Sequence, residues 1–239
     1  MGGILERKPR LQAIAGLAPR GSRCLADIGT DHGYIPVALL RIKKIDRAIA
    51  VDISEGPLAR ARRTAERYGL EERVDFRLGD GLSVLAPGDA DVIVIAGMGG
   101  DTIVDILSAA PWSLYGPLLL LQPMSRAEAL RKWLWKRGAR LCSEQLVQER
   151  RALYPILKVR SSGMGPVPYT EADAWGGMLL ENDPLWGKYL ETVILRLRRA
   201  ASGLERAKDP ALAARQKRFL KVIEELEKRK GAWSRANGR

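Results

Sequence analysis

The stretch that decides the fold is "CLADIGTDHGYIPVAL", residues 24–39. An apolar run ends in an acid and a glycine, and a second glycine precedes a helical segment. This order of strand, tight turn and helix is typical of the first unit of a nucleotide-binding α/β domain. The middle of the turn is unusual: Asp31 stands where such turns usually have a glycine, and His32, the only histidine of the chain, follows it.

Outward from this turn, the first 160 residues alternate short apolar runs with helical patterns, which predicts a parallel sheet covered on both faces. Helices are predicted near 9–18, 35–42, 55–68, 101–110 and 125–137. The predicted strands are 23–28, a run ending at Asp52, 73–79, 91–97, 117–122, 139–150 and 151–160. Pro123 is expected to stop the fifth strand. Five strand–helix steps and a closing hairpin make a seven-stranded, doubly wound, Rossmann-like α/β sheet.

The composition changes at "SSGMGPVPYT", residues 161–170, which is typical of a linker. We therefore expect two domains, 1–160 and 161–239. In the second, Asp183-Pro184 and Asp209-Pro210 each suit a helix cap followed by proline at the first helical position. Apolar residues recur every seven positions after each pair and predict a C-terminal helical appendage, an antiparallel coiled-coil hairpin, with Leu190, Leu197, Leu204, Leu212, Phe219 and Leu226 along its seam.

The net charge of +12 favours a polyanionic partner, with a well-solvated basic surface as the alternative. Residues 184–239 hold 15 Lys/Arg against 6 Asp/Glu, a net charge of +9. Three quarters of the net charge thus lies in the last quarter of the chain. This concentration favours an RNA-binding arm over the solvated exterior of a coiled coil.

Other compositional features exclude several classes of protein. Cys24 and Cys142 lie far apart in apolar strand-like contexts, which predicts reduced thiols in a cytoplasmic protein. One histidine and two isolated cysteines do not supply a zinc-ligand set, so we expect no metal. The first ten residues are too charged for a signal peptide, and no apolar run is long enough to span a membrane. We expect a monomer.

Acids and glycines follow the ends of successive predicted strands, where doubly wound sheets bind their ligands. Asp27 ends the first strand, Asp52 the second, and Asp80 follows the third, while "GMGG", residues 97–100, follows the fourth. A carboxylate in the place of Asp52 can accept hydrogen bonds from both ribose hydroxyls of a nucleoside cofactor. A single acid at a strand end is usually a turn former, but a series of them predicts a nucleoside site.

The turn discriminates between two classes of cofactor. A nicotinamide dinucleotide needs bare amides around its pyrophosphate, and Asp31 would bring a negative charge toward the phosphates. A cofactor with a cationic centre and no phosphate tolerates that carboxylate. The turn therefore predicts S-adenosylmethionine and methyl transfer.

The motifs "LADIGTDHGYIP", "AVDIS", "GDGL", "IAGMGG" and "LQPM" resemble, in this order and spacing, the bacterial tRNA (adenine(22)-N(1))-methyltransferase family, which methylates ring nitrogen 1 of adenine 22. The family is of the class I S-adenosylmethionine-dependent type, and the resemblance spans nearly the whole chain. One departure is Met124, where the family commonly has asparagine.

The resemblance implies a role for each matching residue. Those near the cofactor would be Asp27, Gly29, Gly33, Asp52, Ile53, Asp80, Gly81, Gly97 and Met98. Gln122 and Pro123 would lie on the substrate side. Further tRNA contacts are expected from the arm residues Arg196, Arg198, Arg199, Arg215, Lys217, Arg218 and Lys221.

The chemistry requires no covalent intermediate, because nitrogen 1 of adenine has an in-plane lone pair that can attack the methyl group directly. The product base is cationic, so a carboxylate nearby would stabilise it or accept a proton from the exocyclic amine. Asp31 is the predicted carboxylate, with His32 and Tyr34 as positioning or stacking groups; the alternatives are a helix cap, a structural histidine and a core tyrosine. Two other functions stay open: methylation of another acceptor, and a non-catalytic RNA-binding protein with a nucleoside-binding fold.

Overall fold

The computed structural model describes residues 3–161, 165–205 and 209–238. The chain divides into two units between Val167 and Pro168, seven residues beyond the end of the expected first domain. Residues 162–164, part of the predicted linker, lie outside the described residues. Each unit is described by itself.

The first unit is built on one seven-stranded sheet. Its strands are β1 (Ser22–Ile28), β2 (Ile45–Asp52), β3 (Val74–Leu78), β4 (Val92–Gly99), β5 (Leu118–Ser125), β6 (Ala139–Glu149) and β7 (Ala152–Ser161). The strand order is β3-β2-β1-β4-β5-β7-β6. Strands β1 to β5 are parallel, and β7 is antiparallel to both β5 and β6. The predicted sheet and its closing hairpin are confirmed.

Helices cover both faces of this sheet: α1 (Pro9–Leu17), α2 (Tyr34–Arg41), α3 (Glu55–Arg67), α4 (Gly100–Ala109) and α5 (Ala127–Lys136). Neighbouring residues of one strand point into different cores, as Leu25 and Ala26 of β1 do. Both are fully buried. A strand that is covered on both faces consists of a continuous run of apolar residues. Such runs allow the strands to be predicted from the sequence.

The prediction that Pro123 stops the fifth strand is wrong, because β5 continues through Pro123 to Ser125. Proline has no N–H to donate to a neighbouring strand. On one side β5 pairs with β7 only over Leu119–Leu121, whereas on the other side it pairs with β4 as far as Ser125. Past Leu121 the strand therefore has a free edge, where a proline is tolerated. The glycines of residues 97–100 also extend β4 to Gly99 before α4 begins.

The second unit is helical, with α6 (Glu171–Gly176), α7 (Trp186–Ser202) and α8 (Pro210–Ala236). Contacts between Gly187 and Trp233 and between Ala201 and Gln216 make α7 and α8 antiparallel, as predicted. Asp209 caps α8 by accepting a hydrogen bond of 2.7 Å from the N–H of Ala211.

Two details of this unit differ from the sequence prediction. Asp183 does not cap α7; its carboxylate closes the preceding turn on the N–H of Leu185, and the helix begins at Trp186. Helix α6 was not predicted, although Thr170 and Asp173 form a reciprocal capping box at its start. A threonine followed three residues later by an acid is a signal for that motif.

Candidate functional site

The candidate site is a pocket of about 590 Å³ at the carboxyl ends of β1 to β4. The strand order changes direction between β1 and β4, and ligands of doubly wound sheets bind at this point. All the predicted cofactor residues except Asp27 and Gly33 line it. Its lining includes Gly29, Asp52, Ile53, Asp80, Gly81, Ser83, Gly97, Met98, Thr102, Asp105 and Ile106.

The turn after β1 forms one wall of the pocket. The N–H groups of Gly29 and Thr30 both donate to the carbonyl of Val51, which fixes the turn against β2. Gly29 has a φ of +70°, and a β-carbon there would lie 2.2 Å from the methyl carbon of Met98. Glycine thus lets the backbone serve as the pocket surface beside Met98.

Gly33 does not line the pocket and has a structural role instead. It has a φ of +66°, and a β-carbon would lie 3.0 Å from that of Ala61 on α3. The residue precedes α2 and packs directly on α3, so glycine is required here for the close approach of two helices rather than for ligand contact.

Asp27 lies beneath the turn rather than on the pocket surface. It is 5% exposed, and its carboxylate accepts a 2.7 Å hydrogen bond from the hydroxyl of Thr30. Burial, and to a smaller degree the charge of Asp52, raise the pKa of Asp27 from 3.8 to about 6, although the Thr30 hydrogen bond opposes this. The carboxyl group therefore ionises near pH 6.

The pocket is acidic. Three carboxylates line it, those of Asp52, Asp80 and Asp105, and its described lining includes no lysine or arginine. Such a surface favours a cationic ligand and disfavours a pyrophosphate. Asp105 was missed in the sequence, although Thr102, Asp105, Ile106 and Ala109 recur at helical spacing along α4, directly after the glycines of β4.

The position of Asp31 differs from the prediction that its carboxylate would face the cofactor. Its side chain points away from the pocket and accepts hydrogen bonds of 2.6 and 3.2 Å from Arg60 on α3. Its charge is thus paired, and the acids named above set the sign of the pocket instead. Asp31 does not cap α2 either, because Gly33 holds the capping position without a side-chain bond. Its φ of +49° is one that aspartate and asparagine tolerate.

His32 and Tyr34 lie next to Asp31 and form a parallel pair of rings. Their centroids are 4.9 Å apart with an angle of 8° between the planes. The Lys8 ammonium lies 4.7 Å from the centre of the Tyr34 ring. Both rings are partly exposed, and Tyr34 also packs against the hydrophobic core of the first unit.

Gln122 lies inside the protein, which corrects its prediction as a substrate contact. Its side chain is fully buried; its oxygen accepts from Arg10 at 2.7 Å and from the N–H of Gly97 at 3.2 Å. Pro123 is buried as well, and Met124, 40% exposed, is the residue of this run that reaches the surface. We interpret Gln122 as a positioning residue that connects Arg10 to the Gly97 loop.

Gln122→Ala is expected to lower the free energy of unfolding by about 3 kcal/mol, because it leaves a cavity and two donors without their acceptor. Amide hydrogen exchange at Gly97 should accelerate. Gln122→Glu keeps an acceptor for both donors and should retain the protection of Gly97, while it loses the Nε2–H donation to the Pro123 carbonyl. Unchanged stability and exchange in the alanine variant would contradict the positioning role.

The predicted arm residues lie on α7 and α8. Arg198 pairs with Glu227 at 2.5 Å, while the guanidinium groups of Arg196 and Arg215 lie over the rings of Trp175 and Phe219. The remaining predicted arm residues are all exposed: Arg199, Lys217, Arg218 and Lys221.

The structure contains no group of three or more histidine, cysteine or acidic side chains that could hold a metal, within the residues it describes. A search of the same residues found no helix with the length and apolar character required to cross a membrane.

Comparison with known proteins places the first unit in a family. Residues 7–157 match the family described as "Methyltransferase domain". The tRNA (adenine(22)-N(1))-methyltransferase of Bacillus subtilis (strain 168) is 38% identical over 193 residues, which cover 80% of this chain and 79% of that protein.

Solved structures extend the similarity to both units. The Bacillus subtilis m1A22 tRNA methyltransferase TrmK matches with a TM-score of 0.82 at 31% identity, over 92% of this chain and 97% of that one. A Streptococcus pneumoniae protein, described as a candidate tRNA (m1A22) methyltransferase and solved in complex with S-adenosyl-L-methionine, matches with a TM-score of 0.75 at 30% identity. That match covers 92% of this chain and 98% of that one.

Proposed function

We propose a function from one premise: this chain belongs to the methyltransferase-domain family and, within it, to the tRNA (adenine(22)-N(1))-methyltransferases. It is an S-adenosylmethionine-dependent enzyme that methylates nitrogen 1 of adenine 22 in tRNA. The observation that carries this conclusion is the acidic, glycine-walled pocket at the strand switch, in a chain that matches such enzymes over most of their length.

The residues of the pocket fit S-adenosylmethionine. Asp52 would accept from the ribose hydroxyls, Ile53, which is 68% exposed, would cover an apolar face, and Asp80 and Gly81 would hold the adenine. Gly29 and Gly97 would let the methionine portion lie against backbone. When bound, the cofactor supplies a methyl group on a positively charged sulfur, and the carboxylates around it suit that charge.

The protein orients the target adenine and stabilises the positive charge that develops on it. Nitrogen 1 of adenine would accept the methyl group: its lone pair would form a bond to the methyl carbon while the bond from that carbon to sulfur breaks and leaves its electron pair on sulfur. The base would thereby acquire the positive charge that the sulfur loses. In folded tRNA this edge of the base is paired or stacked, so the nucleotide must be extracted into the site. Asp31 is our candidate for the carboxylate that stabilises the cationic base, which requires it to exchange its contact with Arg60.

The function is tested with labelled S-adenosylmethionine and two tRNA transcripts that carry adenine or guanine at position 22. We expect label on the adenine transcript alone. No label despite measured cofactor binding would overturn the proposal and leave an RNA-binding protein. Equal label on both transcripts would indicate another RNA site.

Asp31→Asn is expected to reduce turnover by about 10-fold to 100-fold, a range typical of a lost catalytic carboxylate. Asparagine tolerates the positive φ of this position, so the turn should be preserved. S-adenosylmethionine affinity, measured by calorimetry, should change by less than about twofold because Asp31 points away from the pocket. The matched control is Asp46→Asn, an exposed acid near the amino end of β2. A loss of affinity as large as the loss of turnover would make Asp31 a cofactor residue only.

The arm residues of α7 and α8 would contact phosphates of the tRNA. Their exposure and the net charge of +9 in residues 184–239 support this role. Three members of the set also have a structural explanation: Arg198 pairs with Glu227, and Arg196 and Arg215 lie over aromatic rings.

A further inference from the structure

The first unit has a second concave surface, on the other side of the Asp31 turn from the acidic pocket. Its volume is about 460 Å³. We call it the basic groove and define it by the side chains that line it: Lys8, His32, Tyr34, Arg60, Arg63 and Arg67.

The basic groove concentrates positive charge in a part of the chain whose net charge is small. Residues 1–183 carry only +3 of the net +12, since the remaining +9 lies beyond them. Four cationic side chains nevertheless line this one groove, and its described lining includes no acid. Arg60 is paired with Asp31. No ion pair within the described ranges involves Arg63 or Arg67, and both are exposed.

Aromatic rings lie among these charges. Tyr34 is stacked on His32 on one side and contacted by Lys8, while the His32 side chain is 39% exposed. Guanidinium groups beside an exposed ring are the combination with which proteins hold single-stranded nucleic acid: the charges contact phosphates and the ring stacks on a base.

One short turn connects the basic groove to the acidic pocket. Gly29 at its beginning lines the pocket, and the N–H of Asp31 faces the Asp52 carboxylate at 3.4 Å. His32 and Tyr34 at its end line the groove. A chain of nucleotides held in the groove would therefore lie next to a nucleotide inserted toward the methyl donor.

We propose that the basic groove binds the phosphodiester backbone of the tRNA beside the extracted adenine, with Arg63 and Arg67 as the phosphate contacts. This site lies in the catalytic unit and is separate from the arm residues of α7 and α8. The inference rests on the proposed function for the identity of the RNA, and on the groove itself for the chemistry.

The test is the double substitution Arg63→Gln and Arg67→Gln in the full-length protein. Fluorescence anisotropy with labelled tRNA should show affinity reduced by about 10-fold at 0.1 M salt, and the slope of log Kd against log salt should fall by about 1.5. S-adenosylmethionine affinity should be unchanged. Wild-type tRNA affinity in this variant would overturn the proposal.

Two controls make the result specific. Arg20→Gln with Arg47→Gln removes the same charge from exposed positions near the amino ends of β1 and β2 and should leave tRNA binding unchanged; an equal loss would show that net charge alone matters. Binding of inorganic phosphate to the groove, with tRNA affinity unchanged by millimolar phosphate at constant ionic strength, would identify a separate free-phosphate site and overturn the proposal. Binding does not depend on methylation, so a failure of the proposed function would be seen in the transcript assay and not here.

Discussion

Asp52→Ala is expected to weaken S-adenosylmethionine binding by about 100-fold, because two charge-assisted hydrogen bonds to the ribose hydroxyls, each worth about 1.5 kcal/mol or more, are lost together. The Asp52 carboxylate is positioned for this contact. It lies at the end of β2, lines the acidic pocket, and already orients the loop by accepting from the N–H of Ser54 at 3.1 Å. Isothermal calorimetry with S-adenosylmethionine measures the loss.

The contact with Ser54 requires a control for loop disorder. Asp52→Asn retains a neutral acceptor oxygen for Ser54, so it should preserve the loop and lose about 10-fold in affinity, consistent with weaker neutral hydrogen bonds. Melting temperatures of both variants should stay near that of the wild type. If the alanine variant binds the cofactor normally, Asp52 does not contact the ribose.

The central strands β1, β4 and β5 of the first unit were predictable because their apolar runs are buried on both faces, and a glycine or a proline marks the carboxyl end of each run. The edge strands β3 and β6 contain exposed residues and give a weaker pattern. The predicted end of β5 was wrong at Pro123 because a strand edge is a property of the sheet: the short pairing of β7 frees that edge. Helix α6 was overlooked for a different reason, since its capping box lies in a segment dominated by turn residues.

The residues of the candidate site were largely predictable, but not the direction of their side chains. Asp31 was correctly placed in the turn, yet its orientation depends on Arg60, which is 29 residues away in the sequence. Gln122 was assigned to the substrate side by the family resemblance of its motif, whereas Arg10 and Gly97 donate to its oxygen inside the protein. Long-range partners of this kind leave no pattern in a single sequence.

Asp27 is expected to make the free protein less stable as the pH rises from 4 to 7.5. Its pKa is about 6 in the folded protein and 3.8 as the reference for the unfolded chain, so the folded state holds the proton more tightly. The stability from this group is complete below pH 3.8, is lost as the pH rises toward 6, and amounts to about 3 kcal/mol at 1.36 kcal/mol per pKa unit. Denaturant unfolding measures the change, and Asp27→Asn, which cannot ionise, should remove this part of the pH dependence. Parallel curves for the two proteins would contradict it.

The ionisation of Asp27 should also respond to cofactor binding. Among the described residues no cationic side chain pairs with the buried Asp27. The positively charged end of S-adenosylmethionine beside the turn would therefore favour its ionised form and lower its pKa. Binding near pH 5.5 should therefore release a fraction of a proton, which calorimetry detects as a difference between buffers of unequal ionisation enthalpy. Asp27→Asn should abolish this release. Binding without proton release in the wild type would mean that Asp27 supports only the turn, through Thr30, and does not sense the charge of the cofactor.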